Sequence, residues 1–320
     1  MSLVQVVSRQ ITGVPYVKMG LGHLLMVTLT LLGTGLQTSE ASDWGYWGKN
    51  GPENWPGICT MGKKQSPIDI VTDDAIRIDL GALKTYRYDF AFPSTLINTG
   101  HSVQIQLHSS VPIHLSGRVL SSVYILEQMH FHWGAEHTVD GLRDPLELHL
   151  VHYDKKYANF SVAAQHEGGV AVVGVLFELS LDDNPDLAPI VEATRLVSHW
   201  VGHSMARIRT KLIPLLFLPK DHTTYYHYEG SLTTPECQES VLWFVMTEKL
   251  KVSEAQMNVF RHVESSNGTL KFNYRPVQNL GNRKVYHRLE GYNSASSRIP
   301  RNMVYIVLSN LLARLLHKNF

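Results

Sequence analysis

EQMHFHWGAEHTVDGLRDPLELHLVH, from Glu127 to His152, decides the fold and points to the chemistry. It holds five of the chain's 17 histidines, which makes it the place to look for a site. His130 and His132 flank Phe131, and residues i and i+2 of a β-strand face the same way. Two imidazoles on one face of one strand can share an ion. Glu147 to His152 alternates polar and apolar side chains, the pattern of a half-buried strand. Glu147, His149 and Val151 share one face of it; Leu148, Leu150 and His152 share the other. If the two strands pair, either His149 or His152 completes a set of three histidines.

Taken singly, each of these histidines reads as a hydrogen-bonded core or surface side chain. The pair inside LEQMHFHW reads differently, because burying two imidazoles costs free energy unless their nitrogens have partners. A shared ion gives each ring one partner. Gln128 lies two residues before His130 and Glu147 two before His149, each on the same strand face as its histidine. Both can accept a hydrogen bond from the ring nitrogen that faces away from an ion. A set of imidazoles favours zinc over calcium or magnesium, which take oxygen ligands. Three protein ligands leave a fourth position open, as catalytic zinc sites do.

The runs QMHFHWG, EHTVDG and LELHLVH resemble the zinc-binding core of α-class carbonic anhydrases. QSPIDI at 65–70, NTGHSV at 98–103 and GSLTTPE at 230–236 are similar to further motifs of that family, in the family's order. The likeness runs from about Asp43 to Tyr286. It implies an α+β, mainly β domain: one large twisted, mostly antiparallel sheet with peripheral helices. It implies that His130, His132 and His149 bind Zn2+, with His152 left on the opposite strand face. The implied reaction is reversible hydration of CO2 to bicarbonate and a proton by a zinc-bound hydroxide. Weak esterase activity is a further expectation.

Other roles follow from the same resemblance. His101 is the proton shuttle, suited by a histidine pKa of about 6.5. Glu136 accepts a hydrogen bond from Thr233, which thereby orients the nucleophile. Val151, Val172, Leu232, Thr234 and Trp243 form the substrate pocket. Tyr46, in the aromatic arm 43–56, and Gln104 belong to the water network. By their residues alone, His101 reads as a loop histidine, Val151 and Val172 as strand-core valines, and GSLTTP as an ordinary turn. The link from His132 to Glu136 is shorter than in many animal members and resembles bacterial and plant members in length. Ala135 replaces the usual serine, and Glu236 stands where many members have a second proline.

Outward from this core, the composition suits one large domain: 320 residues, 44% hydrophobic and 18% charged, enough for a substantial core. A formal net charge of +1 gives no electrostatic case for nucleic acid as a partner. Residues 65–126 read as short strands (QSPIDI, YRYDFAF, HSVQIQLH, VPIHLSG) between Gly, Pro and Ser. VAVVGVLFEL at 170–179 reads as an apolar strand, Val191–Arg195 as helix, 196–218 as helix followed by buried connection, and Val241–Met246 as a strand. The domain is expected over 42–290, and as a monomer.

The ends read differently. Residues 1–41 resemble a signal peptide and N-terminal extension: Arg9 and Lys18, an apolar run over Leu21–Leu36, then Ser39-Glu40-Ala41 for cleavage. Met19 is an alternative start, and a buried helix the alternative reading of the run. In an oxidising compartment the only two cysteines, Cys59 and Cys237, read as a disulfide, matching the pair bridged in secreted members of the family. Asn159 and Asn267 begin glycosylation sequons. Residues 291–320 resemble a GPI-attachment signal with Asn293 or Ser294 as the anchor site; a packed or interfacial amphipathic helix is the alternative. The chain is thus expected outside the cell, secreted or held at its surface. The competing functions are a recognition module that keeps the fold without catalysis, and a matrix or attachment protein.

Overall fold

The computed structural model describes residues 44–202 and 204–292. The expectations for residues 1–41 and for the tail, including Asn293 and Ser294, lie outside the described residues.

The framework is one large sheet. Its strands, in chain order, are β1 (Ile76–Ile78), β2 (Ser94–Asn98), β3 (Val103–Leu107), β4 (Tyr124–Trp133), β5 (Leu146–Asp154), β6 (Val170–Ser180), β7 (Met205–Arg207), β8 (Tyr225–Gly230), β9 (Val241–Met246) and β10 (Tyr286–Arg288). Across the sheet they lie in the order β7-β2-β3-β4-β5-β6-β9-β8-β10-β1. Pairing is antiparallel except for β6 with β9, β6 with Leu250–Ser253, and β10 with β1. The architecture is the mainly β, mostly antiparallel sheet read from the sequence. Beyond the single turn Ile58–Met61, helices are few: α1 (Phe160–Ala163), α2 (Ala188–Val197) and α3 (Glu254–Phe260). Helix α2 buries Ile190, Val191, Ala193, Thr194 and Val197, a stripe at helical spacing. Helix α3 begins with a capping box between Ser253 and Gln256.

The central strands β5 and β6 are buried on both faces. One face carries Met129, Phe131, Leu148, Leu150, Val173, Val175 and Phe244 into the larger core. The other carries Val151, Val172, Trp243 and Val245 into a smaller cluster with Tyr226 and Tyr228. The polar residues of the opening stretch lie on this second face.

The long strands match their sequence reading closely; the short ones do not. Of YRYDFAF only Tyr86 lies in a strand, because Arg87 turns the chain with φ 63°. QSPIDI supplies only Asp69–Ile70, paired with Thr138–Val139; Pro67 has no N–H to give a ladder. Helix α2 ends at Val197, and a 3-10 turn at Pro214–Phe217 buries Pro214 and Phe217 in the following connection.

Candidate metal centre

Register brings the histidines together. In the β4–β5 ladder His130 stands opposite His149, and His132 opposite Glu147. Directly opposed residues of antiparallel strands point to the same side, so all four side chains share one face. The row continues outward from His130 to Gln104 on β3 and inward from His149 to Gly174 on β6. A Cβ on Gly174 would come within 3.0 Å of Oε1 of Glu147, so the glycine leaves room for that carboxylate.

One ligand-type atom from each of His130, His132 and His149 lies within 4.8 Å of the others. Nδ1 of His149 is 3.3 Å from Nε2 of His130. Two nitrogens bound to zinc at about 2.0–2.1 Å in tetrahedral geometry are about 3.3 Å apart. Each ring is held from behind. Nδ1 of His130 is 3.0 Å from Oε1 of Gln128, Nδ1 of His132 is 2.6 Å from the Asn273 carbonyl, and Nε2 of His149 is 2.8 Å from Oε1 of Glu147. These contacts turn Nε2, Nε2 and Nδ1 toward one point. Nε2 of His132 is buried without a hydrogen-bond partner. A buried ring nitrogen left open beside two others fits a metal cation. Burial holds His130 well below the usual histidine range, helped by repulsion from His132 and His149, and burial pulls His132 down to about 4. The rings are therefore neutral, the form that ligates metal.

Behind the cluster a second set of groups fixes Glu147. Its Oε1 also meets Nδ1 of His137 at 2.7 Å, and its Oε2 accepts from the His137 backbone N–H at 2.8 Å. Nε2 of His137 contacts the Tyr228 hydroxyl at 2.7 Å, which donates to Oγ of Ser66. Burial raises the Glu147 carboxyl, but His137 and His149 outweigh it and hold it well below the usual range. His137, Glu147 and His149 also form a group compact enough for an ion. Both ring nitrogens of His137 already have partners, which disfavours that second set.

Glu136 is fully buried. Its Oε1 accepts from the Arg275 backbone N–H at 2.9 Å, and its Oε2 has no aligned partner. Thr233 comes close enough to lower this carboxyl as a donor would, without an aligned hydrogen bond. Burial dominates and pushes Glu136 up to about 7.

His130 and His149 open into a pocket of about 440 Å³. Val151, Val172, Leu232, Thr233, Thr234 and Trp243 all line it, next to Gln128. The apolar part is again a row across the sheet, since Val151 opposes Val172 and Val172 opposes Trp243. His101, Tyr46 and Gln104 are not part of this wall. His101 and Tyr46 line a separate small recess, where the His101 ring stacks on Trp44 with centroids 3.6 Å apart. Tyr46 packs edge-on against Trp44 and Trp55. His152 goes to the other side of the sheet, as strand alternation requires. It is buried there against the Tyr88 hydroxyl and the Ala171 carbonyl. Cys59 and Cys237 form a disulfide across 178 residues. Asn159 and Asn267 are both exposed.

Sequence reasoning did not name Asn273 or Arg275 as part of the site. In the run NYRP at 273–276 the first residue holds His132 and the third holds Glu136, both through the backbone. The pocket residues Phe160, Ser161, Ala164 and Gln165 were also missed. They come from α1 and the two residues after it, which no metal-type spacing marks.

The sequence profile of eukaryotic-type carbonic anhydrase matches residues 50–289. The chain is 37% identical to carbonic anhydrase 7 of Mus musculus over 258 residues, covering 76% of this chain and 96% of the relative. It is 36% identical to putative carbonic anhydrase 3 of Caenorhabditis elegans, covering 74% and 93%. It is 34% identical to carbonic anhydrase 6 of Homo sapiens, covering 82% and 88%. Matches of this extent, over a fold that converges three neutral histidines on a pocket, mean that the chain belongs to the eukaryotic-type carbonic anhydrase family, whose function is the hydration of CO2.

Proposed function

We propose that this chain hydrates CO2 reversibly with a zinc ion held by His130, His132 and His149. The observation that carries the reading is the convergence of three ring nitrogens, each ring fixed from behind, at the end of a pocket with an apolar wall. Zinc supplies Lewis-acid activation of water, lowering its pKa from 15.7 to about 7, so that a nucleophile exists at neutral pH.

The side chains do the rest. Gln128, Glu147 and the Asn273 carbonyl fix the ring orientations. Thr233, by donating to Glu136, is left to accept a hydrogen bond from the nucleophile and turns its lone pair toward CO2. Val151, Val172, Leu232 and Trp243 hold CO2 in a place that offers it no competing hydrogen bond. Thr234 lines the same pocket. One carbon–oxygen bond forms, bicarbonate leaves, and the proton released passes to solvent. His101 accepts that proton through the water network that includes Tyr46 and Gln104, and its ring can return it to buffer.

The same reading makes the protein an extracellular monomer, with CO2 and bicarbonate as its small-molecule partners. It is glycosylated at Asn159 and Asn267 and held at the cell surface by a GPI anchor at Asn293 or Ser294. Asn159 caps α1 through Oδ1, which leaves its Nδ2 free for a sugar. No helix among the described residues is long and apolar enough to cross a membrane.

The test is zinc stoichiometry and CO2 hydration, measured together on purified protein. One zinc per chain with hydration is the expected result. A folded, metal-free, inactive protein removes the enzyme reading in favour of a recognition or matrix role. Release from cells by a phospholipase specific for GPI anchors tests the attachment; surface protein that resists it overturns the anchor.

A further inference from the structure

Glu236 is the one carboxylate among the described residues that line the pocket, and no lysine or arginine lines it. The carboxylate is exposed but anchored. Its Oε2 accepts from Nε2 of Gln238 at 2.7 Å. The turn that carries it is tied at several points. The Cys237 backbone N–H donates to the Thr234 carbonyl at 2.8 Å, and the Leu232 N–H to the Gln238 carbonyl at 3.0 Å. Cys237 is also bonded to Cys59. The fixed negative charge thus belongs to the same short loop as Leu232, Thr233 and Thr234.

The two carbon species of the proposed reaction differ in charge. CO2 is neutral and bicarbonate is a monovalent anion. A carboxylate in the pocket wall leaves the first almost unaffected and repels the second. Apolar side chains make up part of the wall that Glu236 shares, and screening beside them is weaker than in bulk water. Resting on the function proposed above, we propose that Glu236 sets the pocket's discrimination against bound anions. It weakens the hold on bicarbonate and on other small monovalent anions relative to neutral CO2. A proline or glutamine at this position lacks the charge that does this.

The test compares the zinc-loaded wild type with Glu236→Gln, which keeps size and removes charge, and Glu236→Asp, which keeps charge. Thiocyanate and bicarbonate binding are titrated by calorimetry at low ionic strength, and kcat/KM for CO2 is measured alongside. In Glu236→Gln both anions should bind about two- to fivefold more tightly, with the gain shrinking as ionic strength rises. Glu236→Asp should stay near the wild type, and kcat/KM for CO2 should move less than the anion affinities. Equal anion affinities in Glu236→Gln and wild type overturn the inference, as does a gain in Glu236→Asp as large as that in Glu236→Gln. A wild type that neither holds zinc nor hydrates CO2 overturns the functional reading as well. An active wild type with unchanged anion affinities in the variants overturns this inference alone.

Discussion

Nδ1 of His149 faces Nε2 of His130 at 3.3 Å, with the His149 ring buried and the His130 ring half-buried at the pocket. The His149 ring is turned this way because Glu147 takes its Nε2. His149 therefore presents Nδ1 to the cluster, while His130 and His132 present Nε2. His149→Ala removes one corner of the three. The variant should lose bound zinc, measured by metal analysis after dialysis, and with it CO2 hydration. Stoichiometric zinc in a folded variant would show that another side chain supplies the third ligand.

His152→Ala should keep zinc and activity but lose stability. Its ring is buried on the far side of the sheet, and truncation leaves a cavity and strands the Tyr88 hydroxyl. The cost should be about 2–4 kcal/mol in a denaturant titration. Burial pulls this histidine down to about 4 from its ordinary 6.5. The unfolded chain therefore takes up the proton first. The stability from the neutral ring is present above about pH 6.5 and is lost as pH falls through about 4. The gap in stability between wild type and His152→Ala should shrink across that window; a constant gap would mean that the ring does not titrate there.

Much of the site was legible because strand alternation is a strict rule. It put His130 and His132 on one face, paired Gln128 and Glu147 with their histidines, and set His149 and His152 on opposite faces of their strand. It could not choose the third ligand unaided, because register between β4 and β5 is a tertiary fact. The bulge between Val151 and His152 shifts that register just past the cluster. Asn273 and Arg275 were invisible as site residues because they act through backbone groups brought from 141 and 139 residues away. No side-chain type announces a carbonyl acceptor. The spacing of His137 does not mark it as a partner of Glu147, because that bond depends on how the short loop after Trp133 folds back. Gly134 makes that turn with φ 64°, its Cα against the Tyr274 ring.

The stack of His101 on Trp44 places the ring outside the pocket wall, so proton transfer must cross intervening water. His101→Ala should leave kcat/KM for CO2 near the wild-type value and lower kcat in weak buffer by roughly 100-fold, the low end of the loss of an acid–base group. Added imidazole should restore most of the loss. A kcat that is the same in weak and strong buffer for both proteins would assign proton transfer to a different group.

Thr233 and Glu136 should be separable from metal binding. Neither is among the clustered nitrogens, so Thr233→Val and Glu136→Gln should each hold zinc. Removing the hydroxyl leaves the nucleophile unoriented, and kcat/KM should fall by about 10²-fold, the loss typical of one aligned polar contact in a reacting site. Replacing Glu136 by an amide lets position 136 donate to Thr233 instead of accepting from it, which reverses the hydroxyl and should cost at least as much. Stability gives a second readout on the zinc-free protein. Burial raises Glu136 to about 7, above the unfolded value of 4.5, so its contribution is full below pH 4.5 and is lost as pH rises through about 7. Glu136→Gln has no such proton to lose, and its stability should fall less than the wild type's between pH 5 and 8. Parallel pH profiles for the two zinc-free proteins would show that Glu136 is already ionised at pH 5, and that its link to Thr233 needs no help from a nearby cation.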